Sequence, residues 1–199
     1  MEIKRRDSGG KKFWIPFAVV LMIVVGLIVV IFVNFSRERQ ILRLDGHVFE
    51  QKNGYWVTEV NNIPVKILSR EPYEIAKIPV EDSIGEKLRA SRMLYIAFPM
   101  KVPNPEFVSA AVYELAEFLN NRRVYTTNGI ADNNTGLEFL PILGCRDASP
   151  EVPVILFAST NETSSRIVME GDCIRLEAAR PVDFIALKDR LILKIAGIV

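Results

Sequence analysis

Cys145 and Cys173 are the two residues of this chain whose type and spacing point most directly to chemistry, and no other cysteine is present. An even pair in an oxidising compartment reads as a disulfide. Closing a loop of that length would stabilise a fold by about 3–4 kcal/mol in the chain-entropy picture. Two buried free thiols are the alternative reading, and a metal pair lacks companion ligands. The two cysteines are 28 positions apart. Redox-active pairs usually sit close together at the start of a helix, so this spacing favours a structural bond over thiol exchange.

The remaining inventory for catalysis is short. His47 is the single histidine, and a solvated or strand-face role is expected for it. Gly9-Gly10 lies in the N-terminal tail, so no glycine loop is placed to cradle a phosphate. Asp132-Asn133-Asn134-Thr135-Gly136 opens like a calcium loop but lacks the later bidentate acid. Asn133 and Asn161 each begin an Asn-x-Thr glycosylation acceptor in an expected loop. No metal, no cofactor and no catalytic constellation is expected.

Where these residues sit follows from residues 13–35, FWIPFAVVLMIVVGLIVVIFVNF, which carry no charge. As an α-helix they would reach roughly 34 Å, enough for a hydrocarbon core of about 30 Å. A cleavable signal has a shorter apolar region and a small-x-small site, and neither is found. The stretch is expected to be an uncleaved anchor held in membrane lipid. Lys4, Arg5, Arg6, Lys11 and Lys12 precede it, against Arg37, Arg39 and Arg43 close behind. That bias of basic residues predicts a cytoplasmic N-terminus and an extracytoplasmic C-terminal domain. The chain therefore divides into a basic tail (1–12), a transmembrane anchor (13–35), a juxtamembrane tether (36–45) and one α/β domain (46–199).

Taking the tail's five basic and two acidic residues from the totals of 25 and 24 leaves 20 and 22 for the rest. No basic face emerges, so no nucleic-acid partner is expected. Within 46–68, Asn53-Gly54 and Asn61-Asn62 separate β-rich runs and predict a three-stranded meander. Pro72 and Pro79 interrupt the next stretch, which is expected to be loop with at most a short helical turn. Residues 93–199 predict the order β-α-β-β-β-α. Leu94–Phe98 reads as a buried strand. Asn104-Pro105-Glu106 reads as a helix start with an N-cap and a first-turn proline. Val108, Ala111, Val112, Leu115, Phe118 and Leu119 then form one apolar stripe. Glu114 and Glu117 are expected on the solvated side. Strands follow near 123–127, 152–158, 166–169 and 174–178, and a helix over 181–196 closes the chain before Gly197.

This order, with Pro153 at the head of a central strand, resembles a reduced thioredoxin-like fold whose later strands run antiparallel. Where that family carries Cys-x-x-Cys, the chain has Pro99-Met100-Lys101-Val102-Pro103-Asn104, so no redox activity carries over. Tyr55–Val60, Cys145, Pro153-Val154-Ile155, Asn161-Glu162-Thr163, Cys173-Ile174, Asp189-Arg190-Leu191 and Gly197-Ile198 are similar to a group of uncharacterised archaeal single-span membrane proteins with an extracytoplasmic α/β domain. The resemblance implies topology and fold. The sequence thus points to a non-enzymatic, membrane-anchored binding or accessory domain with an envelope or membrane protein partner. The alternative is an envelope thiol-disulfide enzyme using Cys145 and Cys173.

Overall fold

The computed structural model describes residues 20–28, 40–68, 71–132 and 140–199. The chain divides into two units, Met1–Arg39 and Gln40–Val199. In the first, residues 20–28 form a helix, α1. Every large apolar side chain along it is 46–71% exposed. Among the described residues no helix is long and apolar enough to cross a membrane. The rest of the predicted 13–35 span lies outside the described residues, as do Lys4, Arg5, Arg6, Lys11 and Lys12.

The second unit opens with four strands, β1 (Ile41–Leu44), β2 (His47–Lys52), β3 (Tyr55–Val60) and β4 (Ile63–Ile67). They form an antiparallel sheet in chain order. The turns are Asp45-Gly46, Asn53-Gly54 and Asn61-Asn62, and all six residues have positive φ. Two consecutive left-handed residues suit the right-handed twist of a hairpin, and Asn, Asp and Gly adopt them most readily. The meander therefore has four strands, not three. The expected tether over 36–45 is corrected at its end, because Ile41–Leu44 pairs with β2 through Leu42↔Phe49 and Leu44↔His47.

Two helices follow where a loop was expected, α2 (Pro72–Ala76) and α3 (Asp82–Ala90). Pro72 stands in the first turn of α2, where its missing N–H costs nothing. In α3, Ile84 and Leu88 are fully buried one turn apart. Asp82 lies in the first turn, and Lys87 and Arg89 in the last, the charge order that the helix dipole favours.

The remaining elements are β5 (Met93–Phe98), α4 (Pro105–Asn121), β6 (Tyr125–Ile130), β7 (Val154–Ser159), β8 (Arg166–Glu170), β9 (Cys173–Ala178) and α5 (Asp183–Ala196). Their order is β-α-β-β-β-β-α, one strand more than the expected β-α-β-β-β-α, and the runs expected near 123–127, 152–158, 166–169 and 174–178 are all strands. All six residues of the predicted α4 stripe are buried. Asn104 is left-handed and makes no side-chain cap, so its expected capping role is corrected; its carbonyl instead accepts from Phe107 N–H at 3.2 Å.

The second sheet runs β6-β5-β7-β9-β8. Here the direction of the later strands departs from expectation, while β5 and β6, joined through α4, are parallel as a strand–helix–strand crossover implies. β6, β5, β7 and β9 are mutually parallel, and only β8 is antiparallel. The connection from β6 to β7 crosses back past β5, so β7 re-enters the sheet in the same sense. The thioredoxin-like resemblance loses its basis in strand direction.

One face of this sheet shares a core with the meander and the helices. Phe49, Trp56 and Val65 join Ile96, Phe157 and Leu176 in that cluster. α5 is enclosed within it, with 13 of its 14 residues buried; it touches β9, β4, α3 and α4. A helix must be covered on every side to be buried all round, and two sheets with flanking helices provide that cover. The other face carries a smaller cluster of Ala97, Leu143, Val154 and Cys173.

Leu143 reaches that second face because Gly129 has no side chain. A Cβ at Gly129 would lie 2.5 Å from Leu143 Cδ1 and 2.7 Å from the Pro141 carbonyl. Close approach lets Ile130 N–H donate to Pro141 at 2.8 Å and lets Leu143 N–H donate back to Ile130 at 2.9 Å. Gly129→Ala should therefore cost about 1–3 kcal/mol through overpacking, read as a lower urea midpoint for the full chain. An unchanged midpoint would show that segment 141–143 does not depend on this contact.

Candidate functional site

Helix α4 has a second stripe, turned away from its buried one. Ala110, Tyr113, Glu114, Glu117 and Asn121 recur at helical spacing. They form one wall of a hollow of about 430 Å³. The opposite wall is the outer face of the meander. There Lys52 pairs with Tyr55, and Val57 pairs with Lys66, so all four point the same way. Asn53, Pro64, Phe118 and Ile192 complete the lining. The volume lies within the usual range of ligand sites, and polar groups converge on an apolar lining.

The polar groups are connected. Glu114 Oε1 accepts from Tyr55 O–H at 3.2 Å. Its other oxygen is ion-paired with the Lys188 ammonium. Lys188 has no exposed side-chain surface and is also paired with the fully buried Asp189. Asp189 in turn accepts from the Leu68 N–H at 3.1 Å, just past β4. The Glu114 carboxylate, followed by burial, holds the Tyr55 phenol above its usual value of 10.0. Tyr55 therefore stays a neutral donor across the physiological range. Nearer the surface, Lys66 meets Glu117 across the groove at 3.4 Å, and Lys52 meets Glu50 at 2.7 Å.

A second hollow of about 440 Å³ lies between the starts of α4 and α5, lined by Phe107, Ala110, Val182 and Ile185. Its one buried acid, Asp183, is already engaged. Arg180 grips both carboxylate oxygens, at 2.8 and 3.2 Å, and Ser165 donates at 3.0 Å. Burial pushes the Asp183 carboxyl up, but those bonds outweigh it and leave it below its usual value of 3.8. This cluster fixes the entry into α5 and leaves nothing converging on the hollow. The groove against the meander is the stronger candidate.

The residues singled out in the sequence lie elsewhere. Cys145 and Cys173 form the expected disulfide, with Cα atoms 5.1 Å apart. It ties a 3-10 turn (Cys145–Asp147) to the start of β9 on the far face of the five-stranded sheet. Asn161 is exposed in the loop after β7, and Asn133 lies outside the described residues. His47 opens β2, half-buried beside Leu44. Among the described residues no three His, Cys, Asp or Glu side chains cluster as metal ligands would.

The reading of Glu114 as a solvated residue is corrected. Only 18% of its side chain is exposed, because the meander covers it. The available signal is Lys188-Asp189-Arg190, three consecutive charges between the apolar runs 184–187 and 191–193 of one helix. No family model, no curated protein and no solved structure matches the chain.

Removing one partner of a buried pair leaves the other charge uncompensated. Lys188→Met should cost about 3–5 kcal/mol in urea unfolding of the full chain. Adding Glu114→Gln to that variant should restore stability by about 1 kcal/mol or more through coupling. Additive losses in the double variant would contradict the network.

Proposed function

We propose that the chain is a non-enzymatic, membrane-anchored binding domain that works on the outer side of the membrane, with the groove between α4 and the meander as its recognition site. The observation that carries the reading is α1. Its large side chains are all apolar and at least 46% exposed, and it lies within an uncharged run of 23 residues. Lipid is the solvent in which such a surface is stable. The disulfide supports an oxidising compartment for Gln40–Val199, and exposed Asn161 is available as a glycan acceptor there. The resemblance to archaeal single-span proteins fits the same topology.

Membrane lipid is then the partner of residues 13–35, and an envelope or membrane protein is the partner of the domain. The thiol-exchange alternative finds less support, because the paired cysteines are 28 positions apart, whereas redox-active pairs usually sit close together at a helix start. A measured reduction potential below about −300 mV would mark the bond as structural.

Topology is tested with protease added to intact cells expressing the full chain with a C-terminal tag. Loss of the tag before lysis is the expected result; protection until lysis would overturn the outside placement. A native pull-down from solubilised membranes should recover a protein partner, and recovery of the chain alone each time would count against a binding role.

A further inference from the structure

The charged residues that line the groove differ in sign between its walls, with Glu50 on the same face as Lys52 but outside the lining. The strand wall offers Lys52 and Lys66, whose side chains are 57% and 49% exposed. The helix wall offers Glu114 and Glu117. Glu114 is already met by Lys188 and Tyr55, so Glu117, 45% exposed, is the acid a ligand can reach. Tyr113 is one turn before Glu117 and 71% exposed. An aromatic ring beside a carboxylate on one helix face suits a guanidinium, which can stack on the ring while it pairs with the acid.

We infer that the groove binds a short extended peptide whose successive side chains alternate acid and base, acids facing Lys52 and Lys66 and a base facing Glu117 and Tyr113. The inference rests on the groove's being the recognition site. An extended chain sends successive side chains to opposite sides, so strict alternation sorts the two signs onto the two walls. The stripe from Ala110 to Asn121 runs about 16 Å along α4, which matches about five extended residues. Binding would replace the Lys66–Glu117 and Lys52–Glu50 pairs. Both lysines and Glu117 are exposed and Glu50 is partly so, and ion pairs near the surface hold little.

The test uses the full chain in detergent micelles and three dye-labelled, end-blocked peptides read by fluorescence anisotropy at low salt. They are Ala-Glu-Arg-Glu-Ala, Ala-Glu-Gln-Glu-Ala and Ala-Gln-Arg-Gln-Ala. The alternating peptide should bind at least tenfold more tightly than either single-sign peptide and should weaken as salt rises. Tyr113→Ala should weaken it several-fold and leave the acidic peptide unchanged. The exposed double variant Lys52→Glu/Lys66→Glu should reverse the ranking in favour of the basic peptide. Equal binding of all three peptides, or no binding, overturns the inference. So does equal competition by the unblocked dipeptide Glu-Lys, which would mark a site for small zwitterions. A partner recovered from membranes while these peptides fail would leave the binding role standing and remove only this ligand class.

Discussion

A lysine with no exposed side-chain surface sits in the middle of α5, and the fold around it is arranged to meet its charge. Lys188 is held by Asp189 on its own helix and by Glu114 on α4. Each carboxylate then reaches the meander, through Leu68 N–H and Tyr55 O–H. A buried pair adds little net stability over an apolar replacement, yet separating its partners costs several kcal/mol. The network therefore acts on direction. Any docking of the meander that parts Tyr55 from Glu114 leaves a covered carboxylate short of a donor. The same constraint builds the groove, since Glu114 and Tyr55 meet at its floor.

The far face of the five-stranded sheet is closed by different means. Among the described residues no α-helix stands between β6 and β7; residues 140–153 cross that face with one 3-10 turn. Gly129 admits Leu143, and the Cys145–Cys173 bond fixes the turn to β9. The covalent tie thus secures the face that residues 140–153 cross. The face that shares the main core relies on packing and on the Lys188 network.

Much of this was legible in the sequence wherever a short-range rule decides the outcome. The stripe from Val108 to Leu119 has helical periodicity, and that alone fixes which side of α4 is buried. Asn53-Gly54 specifies a hairpin because both residues tolerate positive φ. Asp45-Gly46 carries the same signal, but β1 has only four residues, too short a run to stand out from the tether in sequence. Pro72 reads as a breaker in the sequence, yet in a first turn its missing N–H is no loss and its fixed φ suits a helix start. What remained illegible depends on layers. Helical spacing gives Glu114 a side of α4 but cannot say that a second sheet will cover that side. Nor does local sequence say that β7 and β9 run parallel to β5, since direction is set by the path of each connection across the sheet.

The central claim is that two sheets share one core through α5 and its charged centre, and native-state hydrogen exchange of the full chain tests it most directly. Amides of the meander and of β5, β7 and β9 should open together, with one free energy that Lys188→Met lowers equally in both sheets. Exchange of the meander well before the five-stranded sheet, unchanged by that substitution, would contradict the account.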